Sequence, residues 1–216
     1  MKTVYIYCHG FASSPGSQKA TAFAQRFRER GKELIVPDLE DGDFRKITIS
    51  RQVEKITGVL NTFSDAKVGL IGSSMGGYLA ALVAQMRQEV AAQYLMCPGF
   101  HFLERWQERV ARDYPDVNGL PAAITVYHYR YDRPLELDTG IFEDARKWDT
   151  RVLDRSLPTR IVHGVHDDTV PIQQSRDFAA DRSWASLVEL DSDHGLLSHM
   201  DWIVEDCLKF FAREGV

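Results

Sequence analysis

Long apolar runs are missing from this chain of 216 residues. No stretch approaches the roughly 18 to 20 apolar residues that a membrane-spanning helix requires, so no membrane association is expected. The first apolar run, Thr3 to Cys8, stops at His9-Gly10. It is too short for a signal-peptide core and reads as a strand. Cysteine is scarce. Cys8, Cys97 and Cys207 are odd in number, far apart and without metal-ligand spacing. They point to buried, reduced thiols in a cytoplasmic protein rather than a disulfide framework. Basic charge is concentrated nowhere: 26 Lys and Arg stand against 31 Asp and Glu, for a net charge of -5. A nucleic-acid binder would carry a basic stripe, so no nucleic-acid partner is expected. Internal repeats and low-complexity tracts are absent as well. With 44% apolar and 26% charged residues, what is left is an ordinary globular chain of about one domain.

Against this background one pentapeptide stands out. Gly72-Ser73-Ser74-Met75-Gly76 has the form G-x-S-x-G. The apolar run Lys67 to Ile71 precedes it and the helix-like run Tyr78 to Ala84 follows it. Strand, tight turn, helix is the context in which this motif lifts a serine hydroxyl clear of a sheet. Glycine two positions before and two after lets neighbouring backbone pass without a Cβ clash. Only Ser74 has glycine at both offsets, so Ser74 and not Ser73 is the candidate nucleophile. The same glycines do not form a nucleotide-type phosphate loop, because no Lys-Ser/Thr pair follows them.

A serine needs a base to take its proton, and the base needs a carboxylate to fix its tautomer. Downstream, Thr159 to Val162 reads as a strand and leads into His163-Gly164-Val165-His166-Asp167-Asp168-Thr169-Val170-Pro171. Ser186 to Leu190 reads as the next strand and leads into Asp191-Ser192-Asp193-His194-Gly195. Ser, Asp and His therefore follow one another in chain order, each on a loop after a strand.

In these stretches the chain resembles the α/β-hydrolases of the serine esterase type. His163 to Pro171 is similar to their acid-loop pattern H-G-x-x-D-x-x-V-P, which implies Asp167 rather than Asp168 as the acid. Asp193-His194-Gly195 is similar to their histidine loop, which implies His194 as the base. The opening His9-Gly10-Phe11-Ala12-Ser13-Ser14-Pro15-Gly16-Ser17-Gln18-Lys19-Ala20 is similar to the H-G-F-x-S-S-P-x-S-x-K-A start of the small YqiA-like esterases. The resemblance spans nearly the whole chain but is specific only in these stretches. It implies a catalytic set Ser74, Asp167, His194. One oxyanion donor would be the N–H of Met75, the residue after the nucleophile. The second comes from the loop after the first strand, and the family pattern places it on Phe11. The implied activity is hydrolysis of a small-molecule carboxylic ester with a small to medium acyl chain, with no cofactor and no metal. A thioesterase or peptidase would use the same triad, because the fold does not fix the leaving group. A non-catalytic binder of this fold usually lacks one triad member, and none is missing here.

The expected architecture is α/β: one domain over 1-216, with about six mostly parallel strands flanked by helices. Strands are expected at Thr3 to Cys8, Glu33 to Pro37, Lys67 to Ile71, Gln93 to Cys97, Thr159 to His163 and Ser186 to Leu190. Helical periodicity joins Ala20, Phe23, Ala24 and Phe27; then Ile49, Val53, Ile56, Leu60 and Phe63; and last Met200, Ile203, Val204, Cys207, Leu208 and Phe211. Such alternation implies parallel strands with right-handed crossovers. The family implies the order second, first, third, fourth, fifth, sixth. Between the fourth and fifth strands, about 101-156, lies a segment expected to form a small cap. Phe102, Leu103, Trp106 and Val110 suggest a short helix. Ala123 to Arg130 and Arg133 to Asp138 suggest a hairpin whose second arm, with Pro134, is an edge. Ile141 to Asp149 suggests a second helix. Phe100, Phe102, Trp106 and Trp148 are candidates to line an acyl pocket. Among the other histidines, His163 and His166 beside two aspartates do not make a metal site at this spacing. His199 falls at the start of the last helix, where it is a poorer base than His194, and His9 reads as a loop-structuring residue.

Overall fold

The apolar runs become a six-stranded parallel sheet. In the computed structural model, which describes residues 2-63, 65-116 and 119-216, the strands are β1 (Lys2–Cys8), β2 (Leu34–Ile35), β3 (Ala66–Ser73), β4 (Val90–Met96), β7 (Thr159–Gly164) and β8 (Ala185–Leu190). They lie in the order β2-β1-β3-β4-β7-β8, and every pairing is parallel. The expected order holds. β2 is shorter than Glu33 to Pro37, because it is a half-buried edge and Pro37 has no N–H to donate to a ladder.

Side chains of a strand alternate between faces, and the two faces have separate cores. Val4, Ile6 and Cys8 of β1 join one apolar cluster, and Tyr5 and Tyr7 join the other. α1 (Gln18–Glu29) and α7 (Met200–Arg213) cover the Tyr5 face through Ala20, Phe23, Phe27, Ile203, Cys207 and Phe211. α1 starts where Ser17 accepts the Ala20 N–H at 3.3 Å, a helix cap. α2 (Ile49–Leu60) and α3 (Met75–Met86) cover the other face. α2 ends at Leu60, so Phe63 lies beyond it and packs against the core from the following turn. α6 (Ile172–Ala180) follows the loop after β7.

The segment between β4 and β7 holds the three elements expected of it. These are α4 (Phe102–Asp113), an antiparallel hairpin of β5 (Ala123–His128) and β6 (Arg133–Asp138), and α5 (Gly140–Asp149). The hairpin is a sheet of its own. Pro134 pairs with Tyr127 on β6, where a missing N–H breaks no central ladder. Phe102 and Trp106 of α4 meet Phe142 of α5 at 6.2 and 6.0 Å between ring centroids. Asp144 of α5 accepts the Ser50 backbone N–H at 2.7 Å and hydroxyl at 2.6 Å, which fastens the segment to α2. No helix of the described residues is long and apolar enough to cross a membrane.

Candidate active site

Parallel strands end on one edge of the sheet, and the loops there gather the candidate residues. Ser74 is the joint between β3 and α3. Its backbone sits at φ 55, ψ −120, a conformation that L-residues hold only where the surroundings impose it. A Cβ on Gly72 would lie 2.3 Å from the Gly76 carbonyl oxygen, and one on Gly76 would lie 2.0 Å from the Cys8 carbonyl oxygen. Both positions must therefore be glycine for strand, helix and β1 to meet. The elbow is held by backbone bonds: Ser74 N–H donates to Met96 O at 2.8 Å, and Ser74 O accepts Gly99 N–H at 2.9 Å. Ser73 is buried inside β3, whereas Ser74 is half-exposed.

The acid and the histidine meet directly. His194 Nδ1 lies 2.7 Å from Asp167 Oδ2. The other carboxylate oxygen accepts the Thr169 and Val170 N–H groups at 2.9 and 2.8 Å. Burial pushes this carboxyl up, but hydrogen bonds from His163 and His194, the charge of His194 and the Val170 amide outweigh it, and Asp167 is held well below the usual carboxylate range. An ionised Asp167 only accepts, so His194 Nδ1 carries a hydrogen, and the lone pair of a neutral ring would lie on Nε2. Asp168 is exposed and, among the described residues, accepts only the Thr169 hydroxyl. A glycine makes the meeting possible: a Cβ on Gly164 would lie 2.3 Å from Ser192 O and 2.5 Å from Asp193 O. Ser74 Oγ makes no hydrogen bond to His194 among the described residues.

Gly10 brings the loop after β1 to Ser74, since a Cβ there would lie 3.6 Å from the Ser74 Cβ. Phe11 follows, its ring 5.1 Å from Trp106 and 5.6 Å from Phe44. Met75 is the first residue of α3, so its N–H is among the donors a helix start leaves without an intrahelical partner.

Three contributors were not legible in the sequence. His163 is fully buried beneath the acid, with Nε2 3.1 Å from Asp167 Oδ2 and 3.0 Å from Val170 O, and Nδ1 2.7 Å from Ser175 Oγ. Lys19 on α1 is half-buried; burial depresses it, and Cys97, Asp167 and Asp193 oppose that. Arg105 on α4 donates to Phe100 O and Gly99 O, both at 3.1 Å, and to Thr169 O at 3.4 Å. It borders the start of α3: a Cβ on Gly99 would lie 3.0 Å from Arg105 Nη2 and 3.4 Å from Met75 N. None of the three stands at a spacing that local periodicity reveals.

Cys97, His163 and Asp167 place one ligand atom each within 4.8 Å of one another. This donor set is already engaged. Both His163 nitrogens and both Asp167 oxygens are hydrogen-bonded, and burial pushes the Cys97 thiol far up, so no thiolate is on offer. His166 is exposed and pairs with Asp191 at 2.8 Å. His199 is half-buried, its Nδ1 2.9 Å from Ser198 Oγ.

The four aromatics expected along an acyl pocket are divided by the packing. Phe102 and Trp106 gather around Phe11, yet they are only 1% and 8% exposed, because α4 and α5 need them as core. Phe100 stacks on Phe178 of α6 at 4.7 Å. Trp148 turns to α2, donating its ring N–H to Ser50 Oγ at 2.9 Å.

A family model described as an uncharacterised protein family, UPF0227, matches residues 4-212. No curated protein matches the chain. Among solved structures, a hydrolase of Agrobacterium vitis S4, itself described as putative, superposes with a TM-score of 0.82 at 23% identity, covering 97% of this chain and 88% of that one. Est1E of Butyrivibrio proteoclasticus with ferulic acid bound gives 0.80 at 21%, covering 99% and 89%. A structure from the metagenome-derived lipolytic enzymes LipS and LipT gives 0.76 at 18%, covering 98% and 94%. At these identities the likeness shows the fold, which is that of the α/β-hydrolases.

Proposed function

The chain belongs to the UPF0227 family, and we propose that it is a serine hydrolase cleaving carboxylic esters through an acyl-enzyme on Ser74. The observation that carries this reading is the elbow: a half-exposed serine at φ 55, ψ −120 between strand and helix. A strained residue persists where the surrounding structure over-determines it, and such residues cluster at active sites. The 2.7 Å contact between Asp167 and His194 supports the same reading, because it leaves the imidazole Nε2 free to accept a proton.

Ser74 Oγ attacks the acyl carbonyl, and its proton passes to His194 Nε2. Asp167 stays ionised and stabilises the imidazolium. The Phe11 and Met75 N–H groups hold the oxyanion, and as backbone donors they cost no reorganisation. His194 then protonates the leaving alcohol, and water repeats the sequence to free the acid. The hydrogen bond from Ser74 Oγ to His194 Nε2 forms when substrate binds, since catalytic hydrogen bonds are often long or misaligned in the free enzyme. Est1E, which is described with ferulic acid bound, and the lipolytic LipS and LipT support an ester rather than an amide as substrate. The 101-156 segment acts as a cap, and Phe11 with Trp106 forms an apolar wall for the acyl chain.

The test is a pair of variants assayed on p-nitrophenyl acetate. Ser74→Ala abolishes hydrolysis, and Ser73→Ala, which changes a buried strand residue, leaves much of it. Activity lost in Ser73→Ala and kept in Ser74→Ala would remove Ser74 from the nucleophile's role.

A further inference from the structure

Beneath the cap hairpin lies a buried polar group that the proposed reaction leaves without a task. Glu40 is 3% exposed and His128 is fully buried. His128 Nε2 lies 2.9 Å from both Glu40 oxygens. The other ring nitrogen fixes the tautomer: Nδ1 accepts the Arg130 backbone N–H at 3.2 Å, so Nε2 carries the hydrogen and donates to Glu40. His9 is fixed in the same way. Its Nε2 accepts the Leu39 N–H at 3.1 Å, and its Nδ1 donates to Gly10 O at 2.9 Å. One more bond completes the set, from Tyr129 N–H to Ala12 O at 2.9 Å.

Together these contacts form a ring. It runs from His9 to Leu39 and Glu40, across to His128 and Tyr129, and back to Ala12. The span it closes is Gly10-Phe11, which carries a donor of the proposed oxyanion hole. Ala12 sits at φ 51, a conformation that needs its surroundings to impose it. A second route leads to the same place. The His128 ring meets Phe44 edge-on at 4.6 Å, and Phe44 meets Phe11 at 5.6 Å. Outside the pair, Asp38 accepts the Glu40 N–H at 3.1 Å and an Arg130 guanidinium N–H at 2.9 Å. An apolar pair of similar volume often serves stability as well as a buried ionisable one. What an apolar pair would not supply is this directional grip.

We propose that Glu40 and His128 are positioning residues: they pin the hairpin turn so that the Tyr129 N–H holds the Ala12 carbonyl and sets the Phe11 N–H for the oxyanion. The proposal rests on the serine-hydrolase reading, and it makes the cap hairpin a determinant of turnover as well as of acyl choice.

The test uses Glu40→Gln, His128→Gln and Tyr129→Pro. The third protects against misfolding of the buried variants. Tyr129 is 73% exposed. It is the second residue of the turn closed by Tyr131 N–H on His128 O at 3.2 Å, a position that favours proline. Tyr129→Pro therefore deletes the N–H that holds Ala12, together with an exposed ring whose edge contact is to Tyr127. The count of Ser74 sites is titrated with a fluorophosphonate, and kcat on p-nitrophenyl acetate is expressed per titrated site. Losing an oxyanion donor costs roughly a hundred- to thousandfold in kcat, so displacing one should cost roughly ten- to hundredfold with KM within about twofold. A purely structural pair would lower Tm and leave kcat per site unchanged. Unchanged kcat per site in Tyr129→Pro and in the folded buried variants overturns the proposal. If the parent neither titrates nor hydrolyses esters, the serine-hydrolase reading has failed instead. The clamp is then decided by hydrogen exchange: faster exchange over residues 9-14 in Tyr129→Pro supports it, and exchange equal to the parent's removes it.

Discussion

Two adjacent serines differ here in what the backbone does with them. Ser73 is the last residue of β3 and is buried, while Ser74 turns to φ 55 and reaches the surface. The sequence makes this distinction legible because the glycine frame encodes the turn. The choice between Asp167 and Asp168 was legible only through a resemblance, since spacing alone allows either. Geometry separates them: the Asp167 side chain is fully buried and holds His194, and Asp168 is exposed. Asp167→Asn should lower kcat by about 10⁴-fold, because an amide favours the wrong imidazole tautomer, while Asp168→Asn should change it little. Equal losses in steady-state assays of the two would contradict the assignment. The sign of the stability effect follows from the depressed carboxyl. Asp167 contributes stability above the unfolded carboxylate range, near pH 3.9, and loses it as pH falls further. Urea midpoints measured from pH 7 to pH 2 should therefore fall more steeply below about pH 4 in the parent than in Asp167→Asn. Lys19 and Arg105 escaped the sequence because their neighbours at the site are distant in the chain, as Thr169 is from Arg105; His163 meets nearby Asp167, Val170 and Ser175, but no spacing rule marks a histidine as support for an acid.

Elements were more legible than residues. Apolar periodicity located α1, α2, α7 and all the main strands, because each buries one continuous face. It overran β2, where only two half-buried residues of Glu33 to Pro37 pair, and the end of α2, where Phe63 is apolar but lies past the last turn. The 101-156 segment is legible element by element, but the part its aromatics play is not. Phe102 and Trp106 serve first as core between α4 and α5. Trp106→Ala should accordingly cost about 3–5 kcal/mol of stability, read from urea unfolding. It should also shift the preferred acyl length by modest factors, since one methylene in an apolar pocket is worth about 1–3 kcal/mol. The measurement is kcat/KM over a p-nitrophenyl ester series. A profile superimposable on the parent's would take Trp106 out of the acyl wall, leaving Phe11 alone there.

At the scale of the whole molecule, the strand order places four loops on one edge: those after β1, β3, β7 and β8. Those loops hold Phe11, Ser74, Asp167 and His194, so a topology readable from alternating apolar runs already converges the site. The links across the sheet were not readable, because they join residues far apart in the chain, such as Glu40 with His128 and Gly164 with Ser192. The central claim is that Ser74 is an activated nucleophile. It is tested most directly by reacting the folded protein with an alkyl fluorophosphonate and locating the adduct by peptide mass spectrometry. The account predicts one adduct, on Ser74, formed rapidly in the parent and at a rate reduced by orders of magnitude in His194→Ala. An adduct on Ser73 or another residue, or no adduct on well-folded protein, would contradict it.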